Sequence, residues 1–228
     1  KIRKGDILGI CGLEGSGVEE LCGVLSGDTK PTSGHLNIYE SARGSLSSAK
    51  MTSPQDAAKK YGVLSIPKNR NSEGVIGTLS VGDNLIMSNL KGASRKGVIT
   101  GKRLTTIAEH WINTLGIKTP GVKAHVMQLS GGNAQKVVFG RAMFSDSDIF
   151  ILNHASRGVD VGAKEDIYSL IRDMTEQGAS AILVGDTLDE CIGMASRILV
   201  MKDGLVQREF EAPVGSKPAQ ADVVKYML

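Results

Sequence analysis

Leu129-Ser130-Gly131-Gly132-Asn133-Ala134-Gln135-Lys136 is the stretch on which the reading of this chain turns. It opens a run with helical apolar spacing that extends from Gly131 to Phe144. Ser130 is placed to cap that helix. Gly131 and Gly132 carry no side chain, so a phosphate can approach the first backbone amides.

Outward from it, a second stretch runs Asp148-Ile149-Phe150-Ile151-Leu152-Asn153-His154-Ala155-Ser156-Arg157-Gly158-Val159-Asp160-Val161-Gly162-Ala163-Lys164. It reads as a buried strand, a turn and the start of a helix over Ala163 to Glu176. Near the beginning, the strand Asp6 to Gly12 enters Gly12-Leu13-Glu14-Gly15-Ser16-Gly17-Val18-Glu19, and a helix follows. The strand, glycine-rich turn and helix are those of a phosphate-binding loop, whose pattern is G-x-x-x-x-G-K-[ST]. Val18 stands where that pattern has Lys, Glu19 stands where it has Ser or Thr, and Glu20 follows.

The two substitutions act in the same direction. Losing one charge-assisted hydrogen bond costs roughly 1.5–3 kcal/mol. A carboxylate brought to about 4 Å from a phosphate costs roughly 4 kcal/mol at an effective dielectric of about 20. Taken from a micromolar site at about −8.2 kcal/mol, the combined loss leaves millimolar binding or weaker. The loop amides and the helix N-terminus remain as anion donors.

The first stretch resembles the signature of ABC transporter nucleotide-binding cassettes, which reads LSGGQ in most members and LSGGN-Q-Q-K in a sugar-importer subgroup. Leu129, Ser130, Gly131, Gly132, Asn133 and Gln135 carry that match. The second stretch is similar to a Walker B strand and D-loop. Arg157 to Lys164, including Gly158 and Asp160, are intact, whereas Asn153 replaces the metal-associated Asp and His154 the catalytic Glu. The switch-histidine position falls on Asp186, and the Q-loop on Pro67-Lys68-Asn69-Arg70, with Arg70, Glu73 and Gly74 matching and Lys68 departing.

The resemblance implies a P-loop NTPase-like α/β fold with a mostly parallel sheet flanked by helices, some antiparallel β, and a helical subdomain at about 80–145. It implies one such domain over residues 1–228, similar to the second, C-terminal cassette of ribose, galactose or xylose importers. Nucleoside and autoinducer importers share the pattern. It further implies ATP and Mg2+ as family cofactors, with binding at Gly12, Gly15, Ser16, Gly17, Val18 and Glu19 of this chain in doubt. The implied partners are a second cassette, in the same polypeptide or a dimer, and transmembrane permease subunits. The implied location is the cytoplasmic face of the membrane, held through the permease. The adenine-stacking aromatic of the family lies upstream of the loop. None of the eleven residues before Gly12 is aromatic, so N-terminal strands are expected to be missing.

Three readings stay open on these residues. A degenerate cassette would present its signature to ATP held by an intact partner. An atypical ATPase would use Glu19 near the metal and His154 as base, the imidazole pKa being suited to that work. A regulatory cassette would keep the fold without ATP and touch permease subunits through the Arg70 loop and the helical region.

The totals of the 228-residue chain fit these readings. Hydrophobic residues make up 41%, enough for a substantial core. The net charge of +3 and 4% aromatic content argue against nucleic acid as a partner. No apolar run reaches the ~20 residues of a membrane span, so membrane work needs a partner. Cys11, Cys22 and Cys191 have no zinc-like spacing and read as small residues in apolar surroundings, consistent with a reducing compartment. His35, His110 and His125 read as surface or loop positions. Trp111, Ile107 and Leu115 read as packing, and the basic stretch Lys91 to Lys102 as a solvated loop. Elsewhere the pattern predicts strands at Leu36 to Tyr39, Gly62 to Ile66, Ala179 to Val184, Ile198 to Met201 and Leu205 to Phe210. The last two flank an Asp203-Gly204 hairpin turn. Helices are expected from Ser53-Pro54, over Leu188 to Met194 and over Ala221 to Leu228. Ser41 to Ser53 and Lys68 to Gly77 read as loops.

Overall fold

The computed structural model describes residues 1–40 and 45–228, without the side chains of Tyr39, Glu40, Ser45 and Leu46. The chain divides into two compact units, Lys1–Ser65 with Ser147–Ile151 and Ala179–Leu228, and Ile66–Asp146 with Leu152–Gly178.

The first unit centres on a sheet built on β1, Ile7–Gly12. Its neighbours are β6 (Ser180–Val184) and β7 (Arg197–Lys202), both parallel to it. With β4 (Val63–Ile66), β5 (Ile149–Asn153) and β8 (Leu205–Glu211), the strand order is β4-β5-β6-β1-β7-β8. β6 is buried throughout, as an apolar strand covered on both faces must be. β8 runs antiparallel to β7. Asp203 and Gly204 both take positive φ in the turn between them, 51° and 75°, as a tight primed turn requires.

Helix α1 (Val18–Ser26) follows β1 directly. Helix α2 (Pro54–Tyr61) opens as expected, with Pro54 in its first turn and the Ser53 hydroxyl accepting from the Asp56 amide. Ile10, Val18, Cys22, Met51, Ala57, Val63, Ile151, Ile182, Val184 and Met201 form one apolar core of this unit. A separate hairpin pairs β2 (Leu36–Glu40) with β3 (Ser45–Ala49). The expected loop at 41–53 therefore contains a strand, except that residues 41–44 lie outside the described residues. Pairing with β2 makes 45–49 extended, although its own serine-rich sequence has little strand propensity.

The second unit is mainly helical: α3 (Val81–Ile86), α4 (Leu90–Ala93), α5 (Gly101–Thr114), α6 (Gly131–Phe144) and α7 (Val161–Glu176). Helices α5 and α6 both pack on α3. A Cβ on Gly140 would stand 2.6 Å from Leu85, 2.9 Å from Leu115 and 3.8 Å from Trp111, so the expected packing role of Trp111 and Leu115 holds. Asn84 is fully buried, and its amide serves the Ile76 backbone on both sides and the Ser80 carbonyl. The expected loop at 68–77 holds a turn of π-helix, Arg70–Gly74, closed by the Val75 amide on the Arg70 carbonyl at 2.9 Å.

Helices α8 (Leu188–Met194) and α9 (Gln220–Val224) complete the first unit. The last is shorter than the expected 221–228 helix. Among the described residues no helix is long and apolar enough to cross a membrane.

Candidate functional site

The glycine-rich loop has the backbone of a phosphate cradle. Gly15 and Gly17 take φ of 80° and 94°, which a β-carbon would strain. Gly17 caps α1 and, being glycine, offers no side-chain cap to the helix's first amides. Ser16 is buried, and its hydroxyl lies where a Gly12 Cβ would be. The β7–β8 turn supports the loop from outside. The Gly204 amide donates to the Ser16 carbonyl at 2.9 Å, and a Cβ on Gly17 would meet the Gly204 Cα at 2.9 Å.

The side chains of the loop depart from phosphate chemistry. Val18 is 7% exposed and belongs to the apolar core, with Ile10 and Cys22. Glu19 and Glu20 are exposed in the first turn of α1. Carboxylates there stabilise the helix by answering the partial positive charge that a bound phosphate would otherwise use. Burial first, and the Glu19 carboxylate second, push the Cys22 thiol up to about 12. Val18 thus brings no charge to the loop, and two carboxylates stand in the first turn of the helix that the loop opens.

Asn153 ends β5 and His154 follows it with φ of 47°. Both are half-buried, and each takes part in a polar or electrostatic interaction. Asp186 is exposed in the turn after β6, where its amide donates to the Glu190 carboxylate at 3.0 Å.

Around the start of α6 the second unit brings three of the sequence-picked segments together. Ser130 holds the N-cap position and is exposed. Its hydroxyl does not cap a backbone amide as expected. It accepts instead from the Asn133 amide group at 2.8 Å, whose oxygen accepts from the Lys118 amide at 2.7 Å. A Cβ on Gly131 would lie 2.9 Å from Arg70 Nη2 and 3.3 Å from the Gly158 carbonyl. A Cβ on Gly132 would lie 2.6 Å from the Ala163 Cβ. Glycine at these positions therefore seats the Arg70 side chain and α7. Burial lowers the Arg70 pKa from its ordinary value.

Gln135 is 2% exposed, so it packs inside the unit and is not part of the presented surface. Leu129 and Asn133 are half-buried beside exposed Ser130. The Asp160 carboxylate accepts from the Ala163 amide at 3.0 Å and caps α7, while Gly158 (φ 67°) makes the turn before it. Lys136 went unweighted among the signature residues. It is buried and pairs with Asp166 on α7 at 2.7 Å, a contact that its four-residue spacing from Gly132 on α6 foreshadows. Lys68 is half-buried and takes part in a polar or electrostatic interaction.

Ile76, Leu79 and Met127 are exposed hydrophobics of this unit, and Met127 lies against Gly77. The isolated β-bridge Ser80 to His125 ties the segments that carry them, with His125 Nδ1 3.1 Å from the Thr78 carbonyl.

The family model for "ABC transporter" matches residues 1–156. The galactose/methyl galactoside import ATP-binding protein MglA of Clostridium tetani is 37% identical over 227 residues, 99% of this chain and 43% of that protein. The ribose import ATP-binding protein RbsA of Bacillus subtilis is 37% identical over 211 residues, 92% of this chain and 41% of that protein. The chain thus spans about two fifths of these relatives' length. Among solved structures, the ATP-binding cassette MJ0796 in its dimeric post-hydrolysis state with ADP and Pi superposes with a TM-score of 0.72. It covers 93% of this chain and 88% of that one at 22% identity, a likeness of fold.

Proposed function

This chain belongs to the ABC transporter family, and from that premise we propose that it is the non-hydrolysing cassette of a sugar importer, similar to the C-terminal cassette of its relatives. It presents the start of α6, Ser130 to Asn133, to ATP held on the glycine-rich loop of a partner cassette. Its own loop binds nucleotide weakly or not at all. The observation that carries the reading is Val18: the side chain at the lysine position is part of the apolar core and brings no charge to the loop. Glu19, Glu20 and Asn153 act in the same direction. The signature segment, by contrast, keeps an exposed Ser130 and the turn residues Gly158 and Asp160 beside it.

The relatives' printed roles in galactose/methyl galactoside and ribose import support a simple sugar as the transported class. Ile76, Leu79 and Met127 offer an apolar surface for a permease subunit, which would hold the chain at the cytoplasmic face of the membrane. The whole chain serves as one cassette, with the helical segment at about 80–145 as its subdomain.

Calorimetric titration of the chain with ATP and magnesium tests the proposal. Expected are a dissociation constant of about 1 mM or weaker and no turnover. ATP-dependent association is expected only with a cassette whose loop Lys and Walker B Glu are intact. Magnesium-dependent hydrolysis by the chain alone, abolished by His154→Ala, would establish the atypical ATPase instead. Failure to join an intact partner in ATP would leave the regulatory reading.

A further inference from the structure

The first unit holds a pair of thiols that the proposed function does not use. Gly9 and Cys11 are two residues apart on β1 and share one face of the strand. Helix α8 packs against β1, and Cys191 Sγ stands 2.5 Å from where a Gly9 Cβ would be. Glycine at position 9 thus lets α8 settle against the face of β1 that also carries Cys11. The Cys191 and Cys11 side chains interact, each shifting the other's titration. The Cys11 thiol in turn lies 3.7 Å from the Leu199 carbonyl, to which it donates. Cys22 stands apart, in the apolar core with Ile10, whose side chain alternates to the opposite face of β1.

We propose that Cys11 and Cys191 close into a reversible disulfide when a hydroperoxide reaches the chain, tying the strand that feeds the glycine-rich loop to the helix that follows the Asp186 turn. The more accessible thiol is Cys11, 8% exposed against 1% for Cys191. The hydrogen bond from Cys191 also lowers the pKa of Cys11, against the opposing effect of burial. The Cys11 thiolate attacks one peroxide oxygen. The O–O bond breaks, the departing oxygen leaves as water after taking up a proton, and Cys11 becomes a sulfenic acid. The Cys191 sulfur then attacks the Cys11 sulfur. The S–S bond forms, the S–O bond breaks, and the hydroxyl leaves as water with the Cys191 proton. In sum, two thiols and one hydrogen peroxide give one disulfide and two waters. The bond would pin α8, and with it the residues 185–187, to the strand that ends at Gly12.

The reduced 228-residue chain is exposed to hydrogen peroxide, its remaining thiols are blocked with N-ethylmaleimide under denaturing conditions, and it is digested without reduction. Expected are a Cys11–Cys191 linked peptide, a chain about 2 Da lighter before blocking, and a single blocked thiol at Cys22. Dithiothreitol should restore all three thiols, and the oxidised chain should unfold at a higher temperature. Cys22→Ser should keep the linked peptide. Cys191→Ser should leave a Cys11 sulfenic acid that dimedone traps. Three blocked thiols, a linkage through Cys22, or Cys11 sulfinic acid without a linked peptide would overturn the proposal. The peptide map of the unsubstituted chain decides it, whether or not the variants fold.

Discussion

Replacing Gly132 with alanine puts two backbone-fixed carbons in collision. The new Cβ would stand 2.6 Å from the Ala163 Cβ, against an optimal carbon–carbon separation of about 3.5–4.0 Å. Neither atom can rotate away, so the starts of α6 and α7 must part by about 1 Å. Overpacking of that kind costs about 1–3 kcal/mol. Alanine recovers at most about 1 kcal/mol through helix propensity, and less at the second residue of a helix. The net expectation is a destabilisation of about 1–2 kcal/mol. At about 2–4 °C per kcal/mol for a chain of this size, thermal melts followed by circular dichroism should show a midpoint lower by about 2–8 °C. Ala163→Gly removes the opposing carbon and costs about 1 kcal/mol on its own. The pair of changes should therefore be more stable than the sum of the two, by on the order of 1 kcal/mol. A melt for Gly132→Ala at or above the parent, or strict additivity in the double variant, would refute the claim that this glycine seats α7.

Arg197→Met should cost about 3 kcal/mol in denaturant titration. It removes a nearly buried guanidinium bonded to Asp6 at 2.8 Å and Glu209 at 2.5 Å, leaving Asp6 without its partner. The Arg197 pKa stands above its ordinary value, because those two carboxylates outweigh the lowering by burial. An unchanged midpoint would show that the ion pairs contribute nothing net. The Cys22 thiol supplies an alkaline signature. Its folded pKa of about 12 exceeds the ordinary 9.0, so its contribution is complete below about pH 9 and is lost as pH rises toward 12. Stability should fall over that window, by at most about 4 kcal/mol, and Cys22→Ala should flatten the slope. Parallel slopes for the two proteins would contradict the assignment.

Much of the fold was legible where a single residue type has one physical use. Asp203-Gly204 announced its hairpin because both positions need positive φ, and Ser53-Pro54 announced α2 through capping chemistry. The strand at Ser45–Ala49 was not legible, because pairing across 41–44 and not intrinsic propensity makes it extended. At the site, the sequence located the segments but misjudged how some side chains act. Ser130 sits at the cap position, yet Asn133 competes for its hydroxyl. Gly132 was read as making room for phosphate, whereas it also makes room for Ala163. Gln135 and Lys136 lie inside the unit, which the low amphipathicity of a helix buried on most sides does not reveal. Val18 was recognised as a missing charge. Its membership of the core required the packing of α1 on β1 to be seen.

The support that the β7–β8 turn lends the glycine-rich loop has a consequence for how such a chain changes over generations. Gly204 grips the Ser16 carbonyl and abuts Gly17 through backbone alone, and neither contact involves residue 18 or 19. The curvature of the loop is thus inherited from one set of residues and its affinity for phosphate from another. Mutations that erase the second set leave these backbone contacts of the first untouched. Drift can change what such a loop binds while the turn that shapes it stays in place.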